Sequence, residues 1–576
     1  MAWADAEYGA DAAGTTLISC PGGDYSTGVN YRLTDGEDFT LELNNPTINV
    51  TGTAAKSVVD LRNSKATGSL TLDASNVGVI KNIRVGPASD GASALGAYIS
   101  NRNNEGNVTV KLGSGTVIDN GGGNTAALRA QTRGLGDTLV RIEGGSIESA
   151  IVGAGSGSVG VLSFIENTAS QSDATIIMTG GSVAVRGNSF ASLFAQNNGL
   201  GNAIINITGG EILTTANRGA AVAAVSRNFA SLGGSKINVE GGTILATGEN
   251  AYAIRSLISG SGHHFIRAAG DAAISATGQD SHGIVAQSSP TAGAAATYEV
   301  NVDGAATVNG GSGKGTGISL LSQAGNVAKI TVGANATVNA ANGDAAILDQ
   351  AGNATVLIAG TVLGDIKLGE GADTLEFAST ADMSGIGLLD GGDDTAGADG
   401  WIDTLTLINQ NYASKGANII NWENLTIDGG SLEITDGELK VGSEAGTGLK
   451  LTNKAILKAG AGLKLTGNVS NKGTVTMQNG KAGDAVNITG DYSGGGTLHV
   501  DADFAADKSD TLTIGGNVTG TTQLVVSNVT VGTPTGKDVT VVKHSGSASK
   551  NSFVLSGGAI TAGALAGACK RASRLK

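Results

Sequence analysis

A pair of adjacent glycines set between two short β-branched strands recurs along this chain, and the recurrence constrains the fold more than any other feature. In Asn202–Ser226, NAIINITGGEILTTANRGAAVAAVS, an apolar run (Ile204, Ile205, Ile207) meets Gly209-Gly210. A second short strand follows (Ile212, Leu213, Thr214), and a polar turn, Ala216-Asn217-Arg218-Gly219, leads into a third apolar run, Ala220–Val225. Short runs rich in Ile and Val and bounded by Gly and Asn are strand signals, not helix signals. Three such strands cannot close a core alone, so they require a similar neighbour above and below. The strand–Gly–Gly–strand pattern stands again at Ile142–Ile147, Met178–Val183 and Val239–Ile244, with the first glycines (Gly144, Gly180, Gly209, Gly241) 36, 29 and 32 residues apart. Less regular copies continue at Gly270, Gly304, Gly333 and Gly360, and a second landmark keeps pace: AYAIRS at Ala251, HGIVAQ at His282, GISLLS at Gly317, AAILDQ at Ala345. A period of about 30 residues lies in the range of repeat arrays. Variable spacing around a fixed strand pattern puts the insertions at turns, which a solenoid tolerates. The expectation is an all-β solenoid of about 20 coils which, at ~4.8 Å per coil, forms a rod of order 100 Å.

Composition removes the competing classes. The chain has 576 residues, more than one ordinary globular core accommodates, whereas each coil of a solenoid packs only on its neighbours. Glycine is abundant at 92 residues but proline is only 5, which excludes collagen. Ile, Val and Leu at strand spacing throughout exclude a disordered chain. A formal net charge of −14 argues against nucleic acid as a partner and favours solubility outside a cell. The two cysteines, Cys20 and Cys569, stand near opposite ends, so an internal disulfide is not expected. Met1–Tyr8 has neither the basic start nor the apolar stretch of a signal peptide, and no run approaches the ~18 apolar residues of a membrane helix.

The organisation reads as follows. Residues 1–60 form an N-terminal cap and the first coils, and residues 61–365 a β-helix of units of about 30 residues. Residues 366–485 are an Asp/Gly-rich segment with shorter coils, 486–560 a capping region, and 561–576 an atypical tail. Within Val486–Gly558 stand, in order, Gly490-Asp491-Tyr492-Ser493-Gly494-Gly495-Gly496, Ser509-Asp510-Thr511-Leu512, Gly520-Thr521-Thr522 with Val525-Val526-Ser527-Asn528, and Gly557-Gly558. This order resembles the junction and autochaperone region of bacterial autotransporter passengers of the pertactin-like and AIDA-like kind. Leu389–Asp394 (LDGGDD) with Asn421–Gly430 (NWENLTIDGG) resembles linkers within such passengers. The resemblance implies a right-handed parallel β-helix with a C-terminal β cap that helps start folding at the outer surface. It further implies a non-enzymatic, adhesin-type passenger, secreted or held at the outer-membrane surface of a Gram-negative bacterium. Its expected partners are a host or neighbouring-cell surface (protein or glycan), other copies of itself, and an outer-membrane β-barrel translocator. No barrel-like run of alternating strands is seen before Gly563–Lys576, GALAGACKRASRLK, so the translocator is expected apart from this chain, or the gene truncated.

Candidate chemistry is sparse. Leu368–Leu375 (LGEGADTL) resembles the calcium nonapeptide GGxGxDxUx except for its first glycine, and Asp399–Leu405 is a poorer echo. Asp373, Asp399 and Asp403 are therefore the calcium candidates, but the two copies lie about 30 residues apart and not in tandem, so an acidic turn on a solvated loop is the plainer reading. Gly310–Thr316 (GGSGKGT) lacks the GK[ST] of a phosphate loop and reads as a turn. A carbohydrate-cleaving β-helix is the rival class, but Asp271, Asp280 and Asp303 fall in turns or at strand ends with no repeated carboxylate position. His263-His264 also reads as a turn, since adjacent strand residues face opposite ways and cannot share a metal.

Overall fold

The computed structural model describes residues 11–567 except 13, 15, 53–56, 77–78, 85–92, 122–125, 151–157, 188, 290–294, 341, 398–399, 461 and 563–564. Almost every regular element is a short β-strand, and nearly all pairings are parallel to the equivalent strand one coil away. The chain divides into two compact units, one of Met1–Gln350 with Val362–Gly364, the other of Ala351–Thr361 with Asp365–Lys576.

In the first unit the opening repeat folds as its pattern dictates, into strands Ala203–Ile207, Glu211–Thr214 and Ala220–Ser226. Each belongs to a different parallel sheet. In the second sheet, Ala203–Ile207 lies between Ala174–Met178 and Ser235–Val239, aligning Ile176, Ile205 and Ile237. In the third, Ile212 lies between Val183 and Ile244. In the first, Val222 lies between Leu193 and Ile254. The period of two sends alternate residues inward, so register stacks like on like: these nine side chains are at most 1% exposed. Each fully buried Ile or Val contributes about 1.5–3 kcal/mol of transfer free energy.

The glycine pairs mark a corner that only glycine fits. Gly145, Gly181, Gly210 and Gly242 follow one another from coil to coil with φ between +79° and +100°. A Cβ on Gly242 would stand 2.6 Å from the Gly210 carbonyl oxygen, and one on Gly210 2.5 Å from Met178 Cε. Other corners are tied by buried asparagines. Asn197 donates to the Ser172 and Asn202 carbonyls at 2.8 and 2.9 Å and accepts from the Gly199 N–H at 2.7 Å, pairing backbone groups that strands do not reach.

The second unit keeps the parallel habit with shorter strands. One ladder runs through Thr374–Phe377, Thr404–Ile408, Asn424–Asp428 and Gly448–Leu451, and another through Asn411–Ser414, Ser431–Ile434, Ile456–Lys458, Thr474–Thr476, Thr497–Asp503, Thr522–Asn528 and Phe553–Leu555. Trp422 fills the interior, fully buried, its Nε1–H donating to the Leu389 carbonyl at 3.1 Å. Near the end, Ile560–Ala562 and Leu565–Gly567 pair antiparallel and so depart from the stack. In the capping region Leu524 is the inward side chain, while Val525 and Val526 remain half-exposed.

The inward columns yield a direct test. Ile205→Ala is expected to lower stability by about 2–5 kcal/mol through the cavity it leaves. Ile204→Thr, on the outward face of the same strand, is expected to stay within about 0.5 kcal/mol. Equal losses in chemical denaturation would refute the assigned register.

Candidate functional site

The Asp/Gly-rich segment brings two of the three calcium candidates together, in a manner the sequence did not suggest. Asp373 and Asp403 precede paired strands of the second unit, and Glu423 precedes the next one in the same ladder. Asp373 Oδ1 accepts the Ala354 N–H at 2.6 Å, Asp403 Oδ1 the Asp373 N–H at 2.7 Å, and Glu423 Oε2 the Asp403 N–H at 2.6 Å. All three are at most 1% exposed. The expected acidic turn on a solvated loop is thereby corrected: these carboxylates are interior rungs, because the N–H of the stacked coil supplies what water would supply on a loop. They follow the coil stacking, one per coil, and among the described residues no three His, Cys, Asp or Glu side chains gather so as to hold a metal ion. Asp399 lies outside the described residues.

Glu423 was not anticipated, although a signal was present: Asp373-Thr374-Leu375, Asp403-Thr404-Leu405 and Glu423-Asn424-Leu425 share an acid, a small polar residue and an inward Leu. Asp510-Thr511-Leu512 repeats it in the capping region, where buried Asp510 accepts the N–H groups of Gly483, Asp484 and Asp501 at 2.7–3.0 Å. Burial pushes the Asp403 carboxyl up to about 9, and the charges of Asp373, Glu423 and Asp393 add to the effect. Glu423 is raised too, by burial first and then by Asp393 and Asp394. The second oxygens, Asp403 Oδ2 and Glu423 Oε1, are buried with no hydrogen-bond partner among the described residues. Asp403 therefore carries its proton at neutral pH.

A second buried polar group lies in the first unit. His263 and His264 belong to strand His263–Ala268, not to a turn; the flanking glycines disguised it. The opposed faces were read correctly. His264 is fully buried, with Nδ1 2.7 Å from Ser256 Oγ, Nε2 3.2 Å from Ser288 Oγ, and its ring stacked on Tyr298 at 4.5 Å. Burial lowers its pKa to about 3, so the ring is neutral. His263 faces outward beside Glu299. Gly310–Thr316 is a turn held by the Lys314 N–H donating to Asp280 Oδ1 at 2.7 Å, and Asp271, Asp280 and Asp303 lie outside the strands.

The most distinctive surface is the outer face of the first sheet of this unit. Register places Arg32, Arg62, Tyr98, Gln131, Phe164 and Gln196 in one row, one residue per coil. Arg32 is exposed and the rest are half-buried. Arg129 and Arg133 lie 5.7 and 5.9 Å from the Tyr98 ring centre. Further along, Tyr252 stacks on His282 at 5.7 Å with Arg255 5.0 Å from its ring. Stacking alone assembles this row, since its members are 30 or more residues apart in the chain.

Parallel coils around aliphatic columns, ended by an antiparallel hairpin, define a β-solenoid of the parallel β-helix class. Residues 461–570 match the family model described as Pertactin, and in that part the chain is similar to autotransporter passengers, a family associated with an outer-membrane translocator. The match covers the capping region and stops short of the LDGGDD and NWENLT stretches. No curated protein matches the chain. Among the described residues no helix is long and apolar enough to cross a membrane.

Two titrations follow from the buried groups. Asp403 holds a proton in the folded chain from its ordinary 3.8 up to about 9, so its contribution to stability is full below the lower value and is lost as pH rises through the higher. Raising the pH from 5 to 8 is expected to lower the melting temperature, with a slope of at most ~1.4 kcal/mol per pH unit from this group, and Asp403→Asn is expected to remove that part of the slope. His264 has the opposite sign: its contribution is present above 6.5 and is lost as pH falls toward about 3. Millimolar Ca²⁺ is expected to leave the melting temperature unchanged; a rise abolished by Asp373→Ala would assign the column to calcium.

Proposed function

We propose that this chain is a non-enzymatic, adhesin-type passenger, displayed at or released from the outer surface of a Gram-negative bacterium with the help of an outer-membrane β-barrel translocator. The observation that carries the reading is the outer row of the first sheet, where cationic, aromatic and amide side chains recur once per coil from Arg32 to Gln196. A repeating surface of that kind makes many weak contacts at once, and effective concentration turns them into firm attachment. The catalytic carboxylates of a glycoside-cleaving β-helix would have to converge across a groove. Here the buried acids run along a ladder, each engaged by the backbone of the neighbouring coil. The partners are a host or neighbouring-cell surface, or further copies of the chain.

The capping region, which lies inside the Pertactin match, serves to end the stack. An open end presents a row of unpaired N–H and C=O groups and templates aggregation.

Beads coated with the purified chain are expected to attach to host cells or to clump with one another, and bare beads to do neither. Absence of both would overturn the adhesin reading. Leu524→Asp is expected to slow refolding from denaturant markedly while the surviving fold keeps its β content. Unchanged refolding kinetics would remove the cap from its folding role.

A further inference from the structure

The geometry points to a linear acidic polysaccharide as the partner of the outer face of the first sheet, lying along the stacking direction of the first unit; this inference rests on the adhesin-type reading. The first argument is charge. The strands of this sheet from Val29–Leu33 to Thr316–Leu321 carry four arginines (Arg32, Arg62, Arg129, Arg255), no lysine, and one carboxylate, Asp60. Asp60 is already engaged by Arg62. Arg129 is buried, so the face offers Arg32, Arg62 and Arg255, a guanidinium surplus that is still out of character for a chain of net charge −14. Just past the strands, Arg133 is paired with Glu166 at 2.8 Å and is locally neutral. The planar guanidinium fork matches carboxylate and sulfate oxygens two by two, which a lysine does not. Arg255 makes its side-chain hydrogen bond to the Gln287 amide oxygen at 3.4 Å, a weak contact that an anion would readily replace.

The second argument is the chemistry between the arginines. Tyr98, Phe164 and Tyr252 are half-buried, so their rings are held in place yet remain partly accessible. Rigid rings give contact area at small entropic cost, and an amphipathic sugar offers C–H faces to stack on them. Gln131 lies between Tyr98 and Phe164 in the row and Gln196 follows Phe164, and their amides supply both donors and acceptors for hydroxyl groups. The outer faces of the other two sheets differ. On the second sheet charges of both signs are mixed among Thr and Asn, as in Thr297–Val302 (TYEVNV) and Val327–Val332 (VAKITV), and on the third short strands such as Thr307–Asn309 (TVN) carry no charge.

The third argument is periodicity. Successive coils are ~4.8 Å apart, about the advance of one pyranose ring in an extended chain. Each sugar of a linear polymer thus meets one rung of the row Arg32, Arg62, Tyr98, Gln131, Phe164, Gln196. A globular protein surface has no such repeat.

The test passes the full chain over immobilised heparin, polygalacturonate and neutral dextran. Retention on the two acidic polymers, weakening as salt rises, and none on dextran is the expected result. Arg32→Gln/Arg62→Gln/Tyr98→Ala is expected to lose about tenfold or more in affinity while the folded chain keeps its β content at the assay temperature. Undiminished binding by that variant, equal binding to dextran, or equal binding to polyglutamate would overturn the inference. Failure of the two readings is separable. Cell attachment that persists in the variant removes this face and leaves the adhesin reading standing. Polysaccharide binding that is lost in the variant, in a chain that attaches to no cell, keeps the site and removes the adhesin reading.

Discussion

Everything in this molecule depends on the parallel, in-register stacking of one coil on the next. No single coil buries enough apolar surface to stand alone. When Ile205 is set between Ile176 and Ile237, and Val222 between Leu193 and Ile254, each coil supplies both the hydrogen-bond partners and half the core of its neighbours. The price is strict register, since a slip of one residue would turn every inward Ile to solvent. The glycine corners enforce that register. Gly210 and Gly242 stand so close to the backbone of the coil below that a side chain at either would push the stack apart.

The same stacking determines what polar groups experience. A carboxylate in the interior of an ordinary domain needs a cation or a dedicated network. In a β-helix it meets an N–H from the adjacent coil at every step, and Asp373, Asp403, Glu423 and Asp510 are held in this way. At Asp403 and Glu423 one oxygen is satisfied and the other is buried without a hydrogen-bond partner among the described residues, so burial holds both carboxyls above their ordinary values, Asp403 up to about 9. Outward side chains gain a different property. Residues far apart in the chain become a periodic surface, and on the first sheet of the first unit that surface is a row of arginine, aromatic and amide side chains from Arg32 to Gln196.

Much of this was legible in the linear sequence. The repeat Asn202–Ser226 shows its three strands, its inward residues and its glycine corner without any tertiary information, because alternation with a period of two and positive-φ glycine are local properties of the backbone. The resemblance to autotransporter passengers was legible from motif order, and the Pertactin match at residues 461–570 agrees with it. Two local readings failed for a shared reason. Asp-Gly-rich text and a His-His pair between glycines both look like turns, yet Asp373, Asp403 and His264 are all completely buried. Composition around them signals flexibility, whereas the partners that bury them arrive from another coil.

The sequence by itself therefore determined the class of fold, the period, the inward columns and the positions where only glycine fits, since each follows from the stereochemistry of a few consecutive residues. Only the tertiary structure decided which acids share a column, that His264 packs against Tyr298 and Ser288, and that Arg62, Tyr98 and Gln131 form one row. Those relations join residues some 30 positions apart, and the spacing between them varies with each turn. Their alignment is fixed by hydrogen-bonded register between coils, a quantity no local window of sequence contains.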